Sequence, residues 1–294
     1  MNFGIFTMTP SFDYKIPKTL REACDLLWAY GGRAKIIAGG TDLVIGLRNG
    51  DHQPQCLIDI TKIEELRRIG ERDGTVSIGA AVTHSEIVSS PLIKKYGNVL
   101  SDAASEIGSP QIRNLGTIGG NIVNASPAAD TLPPLMVLDA NAKVISKEGE
   151  REVSLFQLFQ APYETNLKPH EILVQVTFKK LLPNVRTSFV RLARREAMAI
   201  ARMSVAIVIQ MEKGMVEDIR ISAGAVTPTP QRIFDVETML KGKMLDENLI
   251  KNASRKVSEA MIQRSGIRPS TSYKAPVVEA LFVRGLRRAL EEQP

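Results

Sequence analysis

The sequence contains few of the residues that build metal centres. It has two cysteines, Cys24 and Cys56, and its three histidines are scattered through the chain without the spacing of metal ligands. Neither a cysteine-based zinc site nor a four-cysteine iron–sulfur cluster can be assembled from this set. We therefore expect no metal on this chain, so any redox metal must belong to another polypeptide. Two unpaired thiols are also typical of a reducing compartment.

Long apolar runs are absent as well. No run approaches the roughly 20 apolar residues that a membrane-spanning helix needs. The first residues, Met-Asn-Phe-Gly-Ile, lack the basic and apolar regions of a signal peptide. The sequence therefore predicts a protein with no membrane span that works in the cytoplasm.

Aromatic residues make up only 5% of the chain, although its net charge is +6. Basic residues in excess can indicate nucleic-acid binding, but here they alternate with acidic residues and form no basic arm. The densest basic group consists of Arg186, Arg191, Arg194, Arg195 and Arg202. We expect a solvated surface and no nucleic-acid partner.

The best-known nucleotide and hydrolase fingerprints are also missing. No Gly-x-Gly-x-x-Gly opens a helix and no Gly-x-x-x-x-Gly-Lys-Ser/Thr occurs, which disfavours a Rossmann dinucleotide fold and a P-loop enzyme. The nucleophile elbow Gly-x-Ser-x-Gly is absent too. No nucleophile, acid or base is placed for catalysis.

One stretch, residues 107–130, is unusually short of bulky side chains. Gly119 and Gly120 have no Cβ, so this pair can adopt positive φ and turn successive N–H groups toward one point, as an anion such as a phosphate requires. Thr117 and Asn121 flank the pair, and Asp130 is suited to accept hydrogen bonds from sugar hydroxyls. A side chain at either glycine should then block ligand binding while the chain still folds.

A second diglycine lies near the start of the chain. A helix with Thr19 and Glu22 at its beginning precedes a short apolar strand, residues 35–38, which ends at Gly39-Gly40-Thr41-Asp42 before another helix. Thr41 or Asp42 can cap that helix. One phosphate needs one such turn, whereas a diphosphate can be held between two. The alternative is that both diglycines are plain turns.

The rest of the chain is mixed helix and strand. Residues 98–107 have helical spacing, and residues 171–178 alternate so that Leu173 is an apolar residue on the polar face, where it could rest on something flat. The character changes near residue 178, where we place a domain boundary. Beyond it we predict a hairpin from residues 203–210 and 216–223, and then three helices, with Pro276 in the first turn of the last.

With both diglycines in view, the chain resembles the FAD-binding medium subunit of the molybdenum hydroxylases, the family of xanthine dehydrogenase, nicotinate dehydrogenase and aerobic carbon monoxide dehydrogenase. The resemblance runs over nearly the whole chain. Its specific segments are Ala-Gly-Gly-Thr-Asp-Leu at 38–43, Pro-Gln-Ile-Arg-Asn-Leu-Gly-Thr-Ile-Gly-Gly-Asn at 110–121 and Ser-Pro-Ala-Ala-Asp at 126–130. Residues 171–173 and 225–230 are weaker matches.

The resemblance implies an α+β fold with two domains. Residues 1–178 would form a two-lobed FAD-binding domain of the vanillyl-alcohol-oxidase type, with lobe 1 at about 1–57 and lobe 2 at about 58–178. Residues 179–294 would form a smaller α+β C-terminal domain.

The resemblance also implies a set of cofactor-binding residues. The two glycine turns would wrap the FAD diphosphate, Asp130 would bind sugar hydroxyls, and Ile107, Leu173 and Arg191 would lie along the flavin and adenine portions. The full set is Ile36, Ile37, Ala38, Gly39, Gly40, Thr41, Asp42, Leu43, Ile107, Thr117, Ile118, Gly119, Gly120, Asn121, Asp130, Leu173 and Arg191.

The implied function is electron transfer within a complex. A large molybdopterin subunit would oxidise substrate, a small subunit with 2Fe–2S clusters would carry the electrons, and FAD on this chain would pass them to NAD+ or another acceptor, in a dimer of heterotrimers. A stand-alone FAD oxidase of the same fold and a non-catalytic nucleotide-binding protein are the alternatives.

Three departures refine this expectation. There is no cysteine-bearing insertion, so no additional 4Fe–4S cluster is expected. The loop 191–202 has neither an aromatic residue nor an aspartate, which puts NAD+ in doubt as the acceptor. Thr41 and Asp42 replace the His-Ser of carbon monoxide dehydrogenases, which favours a purine or N-heterocycle as substrate of the complex.

Overall fold

The computed structural model describes residues 12–195 and 200–291. The first eleven residues lie outside this part of the chain, so the expectations about the start of lobe 1 and about a signal peptide rest on the sequence alone. Residues 196–199 of the loop 191–202 and the last three residues also lie outside it.

The first sheet is small and parallel. Its strands are β1 (Asp13–Lys15), β2 (Ala34–Ile37) and β3 (Cys56–Asp59), with β3 in the centre. Helix α1 (Leu20–Tyr30) connects β1 to β2, and helix α2 (Leu43–Asn49) connects β2 to β3. The predicted order of helix, strand, diglycine and helix is therefore confirmed.

Helix α1 begins and ends where the sequence predicts. The Thr19 hydroxyl accepts from the N–H of Glu22 at 3.2 Å, while the Glu22 carboxylate accepts from the N–H of Lys18 at 2.7 Å. Gly31 ends the helix at a φ of +55°. This left-handed conformation is one that glycine adopts without steric cost.

The second sheet has five antiparallel strands in the order β4, β5, β10, β6, β7. Their bounds are β4 (Ile69–Arg72), β5 (Thr75–Gly79), β6 (Asn141–Ser146), β7 (Gly149–Ser154) and β10 (Ile172–Lys179). A 3-10 helix (Glu64–Arg67) precedes the sheet, and two very short strands, β8 (Phe159–Ala161) and β9 (Glu164–Thr165), follow β7.

Short helices connect β5 to β6 and carry the glycine-rich stretch. They are α3 (His84–Ser89), α4 (Pro91–Tyr96), α5 (Asn98–Ser105), α6 (Pro110–Leu115), α7 (Ile118–Asn124) and α8 (Leu132–Val137), and α9 (Leu155–Leu158) follows β7. Helix α3 begins with a full capping box, because Thr83 and Glu86 each bind the other's backbone N–H. The predicted helix at 98–107 is thus present as α5.

Strand β10 departs from the predicted alternation. A bulge between Leu173 and Gln175 interrupts its pairing with β6. Ile172, Leu173 and Val174 are consequently all buried, and Leu173 is only 3% exposed. The sequence predicts that Leu173 lies on the polar face of the strand, where it could rest on something flat, and the structure buries it in the large core.

The third sheet opens the C-terminal part of the chain. It consists of β11 (Val185–Ala193), β12 (Ala201–Glu212) and β13 (Met215–Gly224), with β12 in the middle. The predicted hairpin is the β12–β13 pair, whereas β11 was not predicted as a strand. Three helices follow: α10 (Phe234–Leu240), α11 (Glu247–Ser265) and α12 (Thr271–Glu291).

The start of the last helix is a correction. Helix α12 begins at Thr271, so Pro276 lies inside it and not in its first turn. Pro276 is exposed, and its missing N–H removes one backbone hydrogen bond of the helix.

Strand β12 is buried on both faces, which joins the two parts of the protein. Phe189, Ala206 and Val208 belong to the large core that extends through the N-terminal part of the chain. Val205 and Ile207, on the other face, belong to a second core with α10, α11 and α12. The third sheet therefore packs between the N-terminal core and the C-terminal helices.

The described residues offer neither a membrane-spanning helix nor a cluster of metal ligands. No helix there is long and apolar enough to cross a membrane. No group of three or more metal-ligating side chains occurs within those same ranges. Cys24 and Cys56 are both free and buried.

Candidate functional site

The two glycine turns meet in direct backbone contact. A Cβ built on Gly39 would lie 1.9 Å from the carbonyl oxygen of Leu115 and 2.9 Å from the nitrogen of Gly116. No side chain fits in that space. Residues 36–43, the first glycine turn, are thus held against the loop that leads into residues 117–121, the second glycine turn.

The first glycine turn presents free backbone donors. Among the described residues, none accepts a hydrogen bond from the N–H groups of residues 39–43. Gly40 has a φ of +69°, and its carbonyl accepts from the N–H of Val44 at 3.0 Å. Successive N–H groups around a residue of positive φ form a concavity that binds anions. This turn therefore suits a phosphate.

The predicted side-chain cap of α2 is wrong. Asp42 occupies the N-cap position, but its carboxylate accepts no hydrogen bond from the first turn of the helix. Its backbone is already near helical, with φ −104° and ψ −47°, whereas a capping residue is normally extended. Thr41 directs its hydroxyl to the Asp42 carboxylate at 3.3 Å. The N–H groups of the turn consequently remain available.

The second glycine turn differs from its prediction. Gly119 and Gly120 do not have positive φ and lie in the first turn of α7. Thr117 is the N-cap of this helix: its hydroxyl accepts from Gly120 N at 3.1 Å and its carbonyl from Asn121 N at 3.0 Å. The expected convergence of free N–H groups is therefore absent at this turn.

Packing explains the glycine at 119. Its N–H donates to the carbonyl of Ala80 at 2.9 Å, and the N–H of Ile118 donates to the carbonyl of Val82 at 3.0 Å. A Cβ on Gly119 would lie 2.6 Å from both the Cβ and the oxygen of Ala80. Gly119 is thus required where α7 packs against the end of β5. Gly120 is exposed, and a Cβ there would meet only the Thr117 hydroxyl, at 3.0 Å.

Asn121 and Thr117 supply side chains at this turn. The buried hydroxyl of Thr131 donates to Asn121 Oδ1 at 2.6 Å, which fixes the orientation of the amide. The Asn121 NH2 group is then left as a donor on a partly exposed side chain. The second glycine turn therefore offers side-chain polar groups, while the first offers backbone N–H groups.

Asp130 is a buried carboxylate with one unused oxygen. It is 6% exposed, and its Oδ2 accepts from Arg191 Nη1 at 3.0 Å. Its Oδ1 is buried without a hydrogen-bond partner among the described residues. Burial raises the pKa of Asp130 to about 7, although the Arg191 guanidinium acts in the opposite direction. An unused buried acceptor is costly, and a hydroxyl of a ligand would satisfy it.

Arg191 reaches the site from the C-terminal part of the chain. It lies on β11, is only 5% exposed, and binds Glu106 through Nη2 at 2.8 Å in addition to Asp130. The structure therefore places its guanidinium between two carboxylates. Its implied contact with the flavin or adenine portion stays a prediction.

The other implied residues lie around these turns. Ile37 packs with Leu47 and Leu57 in a small core, while Ile36 and Ala38 pack on the large one. Ile107 is partly exposed, next to Glu106. Leu173 is buried in the large core, and its implied contact with the flavin stays a prediction.

Sequence reasoning missed three contributors. Leu115 supports Gly39, Ala80 faces Gly119, and Glu106 holds Arg191. Leu115 lies within the matched segment 110–121, but no local pattern shows the contact that any of the three makes, because each acts through a residue distant in the chain. A glycine that must stay small indicates that some backbone approaches it, but the sequence does not say which.

His84 is the one histidine near the turns. It is 2% exposed, and its backbone N–H donates to the carbonyl of Gly116 at 3.0 Å. Burial, with a smaller contribution from Arg113, lowers the pKa of His84 to about 4. The imidazole is therefore neutral at physiological pH, and its place under the loop indicates a structural role.

The arrangement has the chemistry of a nucleotide site. Free N–H groups at residues 39–43 suit a phosphate, and Asp130 Oδ1 suits a sugar hydroxyl. FAD carries both groups, so the residues present fit this cofactor.

Comparison with known proteins agrees with the site. A family profile described as "FAD binding domain in molybdopterin dehydrogenase" matches residues 10–179. A second, described as "CO dehydrogenase flavoprotein C-terminal domain", matches residues 188–289.

Individual relatives match over nearly their full length. The nicotinate dehydrogenase FAD-subunit of Eubacterium barkeri is 33% identical, over 92% of this chain and 93% of the relative. The glyceraldehyde dehydrogenase medium chain of Sulfolobus acidocaldarius is 32% identical, over 95% and 98%. The structure of carbon monoxide dehydrogenase from Hydrogenophaga pseudoflava superimposes with a TM-score of 0.91 at 30% identity, over 96% of this chain and 98% of that chain.

Proposed function

Since this chain belongs to the FAD-binding medium subunits of the molybdenum hydroxylases, we propose that it takes electrons from 2Fe–2S clusters on a partner subunit and passes them to NAD+ or another acceptor. The observations that carry the cofactor site are the open set of N–H groups at residues 39–43 and the unused Asp130 Oδ1. The chain is the flavoprotein subunit of an oxidoreductase, with an α+β FAD-binding domain and a C-terminal domain.

The two glycine turns have different roles in this proposal. Residues 39–43 donate N–H groups to the FAD diphosphate, and Gly120 leaves room for its approach. Asn121 adds a side-chain amide, and Asp130 Oδ1 accepts from a sugar hydroxyl. We retain Ile107, Leu173 and Arg191 as proposed neighbours of the cofactor.

Bound FAD supplies the ability to accept electrons singly and release them as a pair. The protein's residues bind and orient it. We propose no acid–base step for this chain, and His84, which is buried and neutral, has a structural place under the loop. Positioning is therefore the role of this chain in the proposed reaction.

The proposed assembly contains a large molybdopterin subunit and a small 2Fe–2S subunit, arranged as a dimer of heterotrimers. The relatives support such partners, since they are described as a medium chain or as an FAD-subunit. We propose the cytoplasm as the location, to which two free thiols are suited. The domain boundary near residue 178 and the lobes at 1–57 and 58–178 remain proposals.

The substrate belongs to the partner subunit. We propose a purine or N-heterocycle, which the relative that is a nicotinate dehydrogenase supports. The glyceraldehyde dehydrogenase medium chain and the carbon monoxide dehydrogenase structure are 32% and 30% identical to this chain, which is nearly the same identity. Similarity of this chain therefore does not distinguish these substrates.

The proposal is tested by purification of the chain from its native source. We expect a flavin absorption spectrum and co-purification of an iron–sulfur and a molybdenum subunit. Flavin without partners would instead favour the stand-alone oxidase. Absence of flavin would favour the non-catalytic nucleotide-binding protein.

Asp130→Ala should weaken FAD binding by about 1–3 kcal/mol, because the cofactor loses a buried charged acceptor. The dissociation constant is measured by flavin fluorescence. Asp130→Asn separates charge from shape, and Asp25→Ala, which removes an exposed partner of Lys147, is the control. An unchanged dissociation constant in Asp130→Ala would remove this residue from the site.

The raised pKa of Asp130 predicts two pH dependences. FAD affinity should increase between pH 6 and pH 8, because the ionised carboxylate is the stronger acceptor, whereas Asp130→Asn should show no such change. The folded chain binds this proton more tightly than the unfolded chain, whose value is near 3.8. The free energy of unfolding without FAD should therefore fall as pH rises from about 4 to about 7. Urea titrations across this range check the sign.

A further inference from the structure

Glu106 lies outside every motif and binds the arginine that pairs with Asp130. It is the C-cap of α5, and its Oε2 is 2.8 Å from Arg191 Nη2. Its own side chain is 48% exposed, whereas the side chains of Arg191 and Asp130 are 5% and 7% exposed. A surface carboxylate thus holds one end of a buried guanidinium.

Arg191 divides its guanidinium between two carboxylates. Nη1 binds Asp130 Oδ2 at 3.0 Å and Nη2 binds Glu106. An arginine facing a single carboxylate prefers the bidentate arrangement, in which two N–H groups engage both oxygens. Here Asp130 has only Oδ2 engaged, and Oδ1 is left without a partner among the described residues.

We propose that Glu106 is a positioning residue for cofactor binding, which keeps Asp130 Oδ1 available by drawing Nη2 of Arg191 away from Asp130. This proposal rests on the proposed function, in which Asp130 accepts from a sugar hydroxyl of FAD. Without Glu106, Arg191 rotates into the bidentate pair and occupies both oxygens of Asp130. The cofactor then competes with the arginine for its acceptor.

The mechanism predicts that FAD affinity falls while the stability of the apo protein is unchanged. Glu106→Ala should raise the dissociation constant for FAD by about tenfold, the value of one hydrogen bond to a charged group. The apo protein should keep its stability, because the buried Oδ1 gains a partner and the lost ion pair is partly exposed. A merely structural role would lower affinity and stability together.

Glu106→Gln is the conservative variant. Its amide oxygen can still accept from Arg191 Nη2, so Asp130 should remain singly engaged and FAD affinity should stay within about twofold of the wild type. Glu247→Ala is the matched control, since Glu247 forms an exposed pair with Arg287 on α11 and α12. Its FAD affinity should be unchanged.

The experiment uses the full chain with FAD as the probe. Flavin fluorescence gives the dissociation constant, and urea unfolding of the apo protein gives the stability of the four proteins. Weakened binding in Glu106→Ala alone, with unchanged stability, supports the proposal. Three results would overturn the proposal and leave the proposed function standing. They are wild-type FAD affinity in Glu106→Ala, equally weakened FAD affinity in Glu106→Gln, and a loss of stability in Glu106→Ala that parallels its loss of affinity. Failure of the wild-type chain to bind FAD overturns both.

Discussion

Replacing Gly39 with alanine should destabilise the protein by about 3 kcal/mol and abolish measurable FAD binding. The added Cβ would lie 1.9 Å from the carbonyl oxygen of Leu115, an atom of the backbone that cannot rotate away. The two glycine turns must therefore separate. The N–H groups of residues 39–43 then lose their position relative to Asn121 and Asp130.

Gly70→Ala is the control for Gly39→Ala. Gly70 also has a φ outside the left-handed region, and its Cβ would make only an ordinary contact, 3.4 Å from the Ser77 hydroxyl. Urea unfolding and flavin fluorescence should show a large effect for Gly39→Ala and little effect for Gly70→Ala. Full flavin content in Gly39→Ala would mean that contact between the turns is unnecessary for the site.

Gly120→Val should reduce FAD affinity by roughly 100-fold or more while the chain still folds, because the side chain fills the open space through which we propose that the cofactor approaches. Gly120 is exposed, and its Cβ meets only the Thr117 hydroxyl at 3.0 Å, which can shift by a few tenths of an ångström. Gly119→Val should instead cost roughly 3 kcal/mol or more of folding stability, because Ala80 lies 2.6 Å from the new Cβ.

The two variants are compared by circular dichroism, urea unfolding and flavin titration. We expect the Gly120→Val chain to be folded but without flavin, and the Gly119→Val chain to be destabilised. Wild-type flavin affinity in Gly120→Val would exclude an approach of the cofactor over this residue. A fully stable Gly119→Val protein would contradict the packing of α7 against β5.

Arg191 connects the C-terminal part of the chain to the proposed cofactor site. Arg191 belongs to β11 and binds Asp130 in the N-terminal part of the chain. Farther along, Arg232 donates to Asp139 at 2.6 Å, and Arg220 lies 3.5 Å from the same carboxylate. These ion pairs hold Arg220 of β13 and Arg232 against Asp139, which follows α8. The orientation of Asp130 therefore depends on both domains.

Local signals in the sequence determined most elements correctly. Thr19 with Glu22, and the strand patterns at 203–210 and 216–223, act on their own neighbours in the chain, so they predict a helix start and a hairpin. The bulge in β10 is different, because pairing with β6 buries Leu173 against its alternation. Pairing with another strand is a property of the tertiary structure.

The sequence alone also identified the two diglycine motifs as a candidate phosphate site and supplied the resemblance that led to FAD. What the sequence left open is why each glycine is needed. Gly40 has the positive φ that the motif predicts. Gly119 leaves room for Ala80, and Gly39 leaves room for the backbone of Leu115. A missing Cβ has the same signature in the sequence whether a ligand, a turn or another backbone requires it.

Asp130 shows the same division between sequence and structure. The sequence identified it as an acceptor near the glycine turns, but its burial, which raises its pKa, and its ion pair with Arg191, 61 residues away in the chain, belong to the folded structure. Folding alone brings these charges together. Electrostatic properties depend on distance in space and on burial, so only the tertiary structure decided which oxygen of Asp130 is left for a ligand.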